Sequence, residues 1–208
     1  MNRNTKTAAA VLGALALAGG GAAVVKYKGA RATIVRTALS AVPFTRDQFM
    51  NGTVVSQGRA GGKGYSSCGD LWNFVLDIVG APNSWVNRDS DKRGSKWKPA
   101  INISKPYGAA KAAGAWVDYA PGKLPKPGDL MLIGQEPAEY AHVFVVVAVA
   151  KDGTLTTADY GGINNAGHLV KRKIVQGRAV SQPSVANSIA GGRKVIGWID
   201  ADKIPRVA

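Results

Sequence analysis

Apolar residues at helical spacing follow the only cysteine of the chain. After Cys68 they fall at i, i+3, i+4 and i+7, namely at Leu71, Phe74, Val75 and Ile78. This is the spacing of one buried helix face. Ser66 and Ser67 are suitable N-cap residues, and Gly80 and Pro82 end the pattern. The pattern predicts a buried helix with Cys68 at or just before its N-terminus.

Two further stretches have a helical pattern, and a polar segment lies between them. Residues 32–49 carry apolar residues three and four apart until Pro43, and residues 107–119 are rich in alanine. Both are predicted to be helical. Residues 83–98 are polar and charged, and this composition predicts an exposed loop or insertion.

The second half of the chain has the pattern of an antiparallel sheet. Five runs predict strands, at 130–133, 142–150, 154–160, 168–175 and 194–199. The run that begins at His142 is rich in valine and predicts a central strand buried on both faces. A hairpin turn is predicted at 151–153 and a loop at 176–193. Helices followed by an antiparallel meander predict an α+β fold.

The charge of the chain favours an anionic partner. The 208 residues carry a formal charge of +14, and residues 1–31 hold five basic residues and no acids, which leaves +9 on the remainder. Such a surface favours an anionic cell wall, an anionic membrane surface or nucleic acid. The basic run at 171–173 has no interleaved aromatic residues, and we recognise no nucleic-acid-binding fold, which argues against nucleic acid.

An uncharged segment rich in alanine and glycine precedes the predicted domain. Arg3 and Lys6 stand before an uncharged run from Thr7 to Val25, which has the basic, apolar and small-residue regions of a secretory signal. The run is also just long enough to span a bilayer core of about 30 Å, so an uncleaved membrane anchor is an equal alternative. A cytoplasmic tail is the third alternative. We therefore divide the chain into a signal peptide or membrane anchor, 1–31, and a domain, 32–208, that is exported or anchored at a membrane.

Cys68 and His142 are the candidate nucleophile and base. The dipole and free N–H groups of a helix N-terminus favour the thiolate form of a cysteine. His142 is one of two histidines and begins the valine-rich strand directly after a loop, where its side chain can be held rigidly beside a cleft. A neutral imidazole there can take the thiol proton and give a thiolate–imidazolium pair. Each residue alone is also compatible with a purely structural role.

Asp159 is the candidate third residue of the site. A carboxylate that accepts a hydrogen bond from the second ring nitrogen would fix the tautomer of His142. A tight hairpin turn places Asp159 opposite Val145 or Val146, on the order of 13 Å from His142 along the ladder. A β-bulge, a strong twist or a looser turn is therefore required to join the two residues. Asn164, which the ideal register places beside His142, is the alternative.

The order of these features resembles the papain-like peptidoglycan hydrolases of the NlpC and CHAP type. In those families the nucleophile opens a helix and aromatic residues follow, as Trp72 and Phe74 follow Cys68 here. A Pro-Gly-Asp turn then precedes a strand, as at 127–129, and the base begins a His-Val-hydrophobic strand, as at 142–146. The resemblance covers about residues 60–165.

The sequence departs from the family pattern in two places. The third residue is aspartate at Asp159, where a glutamate or an amide is usual. The gap between Cys68 and His142 is long, and the charged insertion at 83–98 accounts for it. Because the cysteine precedes the histidine, the chain differs from the circularly permuted relatives that act on lipids.

The resemblance implies a papain-like α+β fold, with N-terminal helices packed on an antiparallel sheet, and acyl transfer without a metal or cofactor. Cys68 would attack an amide carbonyl in the peptide of peptidoglycan, His142 would protonate the leaving amine, and Asp159 would orient His142. The backbone N–H of Cys68 would donate to the oxyanion. The chemistry fits an amidase or endopeptidase from a bacterium or a phage, whether a housekeeping enzyme, a toxin or a lysin.

Two other classes of protein stay open at this stage. The first is a non-catalytic, membrane-anchored or virion structural protein that keeps the same scaffold for binding. An enzyme requires an accessible Cys68 with a low pKa, whereas a binding protein does not. The second is a nucleic-acid-binding protein, whose affinity would fall steeply with salt.

Overall fold

A computed structural model of the chain describes six stretches, residues 29–42, 68–86, 99–134, 142–160, 167–182 and 193–206. Helices come first in these stretches: α1 (Gly29–Ala41), α2 (Cys68–Ile78) and α3 (Pro99–Ala112). Seven strands follow: β1 (Trp116–Asp118), β2 (Leu130–Gly134), β3 (His142–Val149), β4 (Leu155–Tyr160), β5 (Gly167–Val175), β6 (Arg178–Gln182) and β7 (Arg193–Ile199). A short 3₁₀ helix (Ala201–Lys203) ends the described chain. This order confirms the α+β class.

The helix of the cysteine begins and ends where the sequence pattern predicts. α2 starts at Cys68, and Gly80 ends it in a left-handed conformation with φ 76°. The N–H groups of Gly80 and Ala81 donate back to the carbonyls of Asp77 and Leu76, which is the Schellman arrangement. Ser66 and Ser67, the predicted N-caps, lie outside the described residues.

The other two helices differ from the prediction in their bounds. α1 covers 29–41: it begins three residues before the predicted stretch and ends just before Pro43, where the apolar pattern stops, and residues 43–49 lie outside the described part. The helix predicted at 107–119 is wrong at both ends, because α3 covers 99–112 and Trp116 begins β1. Gly114, at φ 66°, stops α3 with a second Schellman arrangement. Alanine content alone did not reveal that stop.

Six of the strands form a closed sheet. The sheet order is β1-β7-β2-β3-β4-β5-β6, every neighbouring pair is antiparallel, and β6 also pairs with β7. Strands β2 to β7 therefore form a closed ring, and β1 extends the sheet beside β7. The ring places the start of β3 and the end of β4 at the same rim, where the candidate residues lie.

The two faces of the sheet bury different side chains. Leu132 and Val145 belong to the larger core, which they share with residues of all three helices. Phe144 and Leu155 belong to a second core that contains no residue of the described helices. This second core therefore fills the inside of the ring. Strand β3 is buried on both faces, as its valine content predicts.

Two predicted loops contain ordered and buried residues. Residues 178–182, inside the loop predicted at 176–193, form β6 because Ala179 and Ser181 alternate into the buried side of the sheet. In the segment predicted to be exposed at 83–98, Trp85 and Val86 pack into the larger core. The free energy gained by burying these two apolar side chains keeps them in the core, although the residues around them are polar. Residues 87–98 lie outside the described part.

Arg31 joins α1 to the start of β2 and to the C-terminal end of the domain. Its Nη1 donates to the carbonyl of Pro127 at 2.9 Å and to Oδ1 of Asp129 at 2.7 Å. The same guanidinium also pairs with the carboxylates of Asp200 and Asp202. One buried cation therefore holds three separate parts of the chain together.

The Pro-Gly-Asp turn is a structural joint around this cation. Gly128 has φ 94°, and a Cβ there would lie 2.9 Å from the Cα of Arg31, so only glycine fits. The buried carboxylate of Asp129 also accepts hydrogen bonds from the backbone N–H groups of Lys126 and Ala201. The motif that marks the start of β2 in sequence therefore fixes the position of that strand.

The first described helix begins before the boundary at residue 32 that we set from the sequence. α1 starts at Gly29, and Ala30 and Arg31 are buried. Arg31 belongs to the domain because it forms the ion pairs just described. Residues 1–28, which carry the predicted signal or anchor, lie outside the described part. Among the described residues, no helix has the length and apolar character needed to cross a membrane.

Replacement of Arg31 by alanine should destabilise the domain strongly. The change leaves the buried carboxylate of Asp129 without its cation, and an uncompensated buried charge costs about 3 kcal/mol or more. Urea unfolding followed by circular dichroism measures the loss. Arg36→Ala, at an exposed position of the same helix, is the matched control and should change the free energy of unfolding by less than about 0.5 kcal/mol. Equal losses in both variants would contradict this role of Arg31.

Candidate active site

The candidate nucleophile opens a helix that is fixed directly to the strand of the candidate base. Cys68 is the first residue of α2 and is 9% exposed. One turn later, the fully buried Trp72 donates its indole N–H to the carbonyl of Phe144 on β3 at 3.2 Å. Phe144 lies two residues after His142. This hydrogen bond therefore sets the distance between the start of α2 and the start of β3.

A bulge in β3 brings Asp159 to His142. Val145 pairs with Ala158 and Val146 with Thr157, but the register shifts between Val146 and Ala148. The shift moves the end of β4 toward the start of β3, as the sequence analysis required. Nε2 of His142 lies 2.6 Å from Oδ2 of Asp159.

The carboxylate of Asp159 is saturated with donors inside the ring. Its side chain is 1% exposed, and Oδ1 accepts from the hydroxyl of Thr157 at 2.6 Å. The guanidinium of Arg172, also 1% exposed, donates to Oδ1 and to Oδ2, each at 2.8 Å. Together with His142, these groups supply two donors to each oxygen. A carboxylate bound in this way cannot rotate away from the imidazole.

The surrounding charges keep Asp159 ionised. Burial alone would raise the pKa of its carboxyl group, but the charge of Arg172 and the hydrogen bond from His142 outweigh burial and hold that pKa well below its usual range. The folded protein therefore contains a carboxylate that can only accept hydrogen bonds.

His142 is poised to be an imidazolium. Burial lowers its pKa, but the hydrogen bonds and charges of Asp159 and Cys68 outweigh this effect and raise the pKa to about 9. Because Nε2 faces Asp159, Nδ1 is the ring nitrogen left for Cys68. The arrangement favours a thiolate on Cys68 beside a protonated His142 at neutral pH.

A further buried arginine, Arg193, lies within electrostatic reach of the thiol. Arg193, at the start of β7, is 8% exposed. Burial lowers the pKa of its guanidinium, and the charge of Cys68 raises it. A cation that interacts electrostatically with the sulfur further favours the thiolate.

The three residues singled out from the sequence thus lie together at one rim of the ring. Asn164, the alternative third residue, lies outside the described residues. Sequence reasoning missed Arg172 and Thr157, which bind Asp159. The sequence contained a weak signal for Arg172. This residue lies two positions from both Val170 and Ile174, so in a strand it points to the same, inward side of β5 as they do.

Comparison with known proteins gives the family of the chain. Residues 58–161, half of the 208-residue chain, match the CHAP domain, and the chain belongs to this family. The match includes Cys68, His142 and Asp159, and it confirms the resemblance drawn from the sequence. CHAP domains are typically peptidoglycan hydrolase domains with amidase or peptidase activity. A search of curated proteins finds no match.

Replacement of Cys68 by alanine should lower the pKa of His142. In the wild type this pKa is about 9, and the change removes the hydrogen bond and the negative charge of the thiolate while Asp159 stays in place. Titration of the imidazole signals by NMR measures the shift, and His168→Gln assigns the two rings. A His142 pKa that is the same with and without the thiol would contradict the proximity of the two side chains.

Proposed function

We propose that the protein is a cysteine amidohydrolase that cleaves an amide bond in the peptide of peptidoglycan. The observation that carries the proposal is the contact chain from Cys68 at a helix N-terminus through His142 to the buried carboxylate of Asp159. Membership of a family that typically hydrolyses peptidoglycan supports the substrate class. We also propose a papain-like arrangement, in which a nucleophile helix packs against the strand of the base.

The first step is acylation of Cys68. The thiolate attacks the carbonyl carbon of the amide, and the backbone N–H of Cys68 donates to the oxyanion that forms. His142 then transfers a proton from Nδ1 to the leaving nitrogen, and the C–N bond breaks. An amine leaves, and a thioester on Cys68 and a neutral His142 remain.

The second step is hydrolysis of the thioester. Neutral His142 takes a proton from water through Nδ1, and the hydroxide attacks the thioester carbon. The C–S bond breaks, the carboxylic acid product leaves, and the thiolate–imidazolium pair is restored. Asp159 remains a carboxylate in both steps and stabilises the imidazolium, as expected for the third member of a triad.

The charge of the protein supports an anionic substrate surface. The chain carries +14 in total, and a basic protein is attracted to an anionic wall or membrane surface. The basic run at 171–173 is a weaker candidate for a nucleic-acid-binding site than its three positive charges indicate. Arg172 is buried against Asp159, and Lys173 pairs with Asp152 at 2.9 Å.

The Cys68→Ala variant should lose peptidoglycan hydrolysis by about 10³-fold or more, because the nucleophile and its ion pair are both removed. The full-length wild type and the variant are incubated with purified peptidoglycan of several wall types. Mass spectrometry of the released fragments then identifies the new amine and carboxyl ends and locates the bond.

Two controls separate catalysis from binding. Asn73→Ala, one turn along the same helix and half-buried, should leave hydrolysis within a few-fold of the wild type. The alkylation rate of Cys68 is measured against pH in parallel, and an activated thiol should react as a thiolate well below pH 8.5. An ordinary alkylation profile together with no release from any wall type would favour a non-catalytic binding protein on this scaffold.

A further inference from the structure

Arg172 lies inside the ring of strands, where a charged side chain is stable only if a partner compensates its charge. It pairs across the strands with Leu155, a residue of the core inside the ring, so its side chain points inward. The guanidinium lies over the ring of Phe144, with Cζ 4.4 Å from the centroid. An arginine stays charged at any pH at which the protein is folded, and a buried cation is costly unless it is paired.

The contacts of Arg172 all converge on the carboxylate of Asp159 and its neighbours. Two parallel N–H···O bonds of 2.8 Å join the guanidinium to both oxygens of Asp159. Nη1 also contacts the hydroxyl of Thr157, which itself donates to Asp159 and lies 3.2 Å from the carbonyl of Val170. The plane of the carboxylate is therefore set by a fork from one side, and Oδ2 is left facing His142.

A neutral carboxyl group would serve the site poorly. Burial favours the protonated acid, and a proton on Oδ2 would place an O–H against the Nε2–H of His142 and remove the charge that stabilises the imidazolium. The fixed charge of Arg172 opposes this protonation. The two hydrogen bonds from Arg172 also prevent rotation of the carboxylate. Such a rotation would turn Oδ2 away from the imidazole of His142.

We propose that Arg172 is a positioning residue of the reaction: it holds Asp159 as a carboxylate and aims Oδ2 at Nε2 of His142. This inference rests on the proposed function for its effect on turnover. The clamp itself can be tested without substrate. Arg172 does not touch the reacting atoms and acts through Asp159.

Two substitutions separate the charge of Arg172 from its geometry. Arg172→Met removes both, so the pKa of Asp159 should rise by about one unit or more, and kcat should fall on the order of 10²-fold with little change in KM. Arg172→Lys keeps the charge but not the fork or the planar stack on Phe144. In this variant Asp159 should stay ionised, and kcat should still fall, by about 10-fold.

Lys171→Met is the matched control. Lys171 is the neighbouring residue on β5 and is exposed, so the change removes one positive charge without touching Asp159. This variant should keep the wild-type kcat and the wild-type titration of Asp159. If kcat falls equally in Lys171→Met and Arg172→Met, the loss of one positive charge on β5 is responsible, and not the contact with Asp159. That result would overturn the proposal.

Three measurements on the full-length protein decide the outcome. Carbon-13 NMR follows the carboxyl of Asp159, nitrogen-15 NMR follows the ring of His142, and kcat and KM are measured with peptidoglycan fragments. Folded Arg172 variants with wild-type kcat and wild-type NMR titrations would overturn the proposal. If Arg172→Met does not fold, Arg172→Lys decides: a wild-type kcat in that variant overturns the aiming role.

The two proposals fail in different ways. If the wild type hydrolyses no peptidoglycan, the proposed function fails. The NMR titrations of Asp159 and His142 still report whether Arg172 holds the carboxylate. If the wild type is active and the Arg172 variants are fully active too, the function stands and the positioning role fails.

Discussion

The ionised carboxylate of Asp159, buried inside a ring of strands, is the constraint on which the site depends. An unpaired charge in such a place would be prohibitively costly, so the surrounding strands must supply donors. β4 supplies Thr157, β5 supplies Arg172 and β3 supplies His142. The positions of these strands are therefore coupled, because a shift of any one of them would remove at least one donor from the carboxylate.

The same solution, an arginine on a buried aspartate, occurs twice in the domain with different consequences. Arg31 and Asp129 join the first helix, the start of β2 and the C-terminal end, on the outer side of the sheet. Arg172 and Asp159 lie inside the ring and adjoin the imidazole. The acid of the Pro-Gly-Asp motif is thus structural, whereas the acid on β4 serves the candidate chemistry. Sequence motifs alone do not separate the two roles.

Much of the fold was predictable because the local patterns are strong. The spacing after Cys68 gave the helix of the nucleophile, and the valine run after His142 gave a strand buried on both faces. Asp159 was identified, but its contact with His142 requires a bulge near Val147. Nothing in a run of valines marks where a bulge falls.

Other features were hidden by composition. Arg172 stands in a basic run whose neighbours Lys171 and Lys173 point outward, and alternation along a strand is visible only after the strand has been assigned. The segment that contains β6 is polar and rich in glycine and serine, a composition that predicts a loop, and its inward residues Ala179 and Ser181 are small. The alanine-rich segment was extended through Gly114, although this glycine ends the helix. In each case pairing between strands or local backbone geometry determined the structure, and neither is visible in the composition.

The closure of the ring limits where another chain can add a strand. Strand β1 stands at one end of the sheet order and is three residues long. Such a short edge offers few free backbone groups for pairing with another chain. The strand at the other end of the order, β6, is joined to β7. The closure that encloses the carboxylate of Asp159 therefore also protects the domain against aggregation through strand edges.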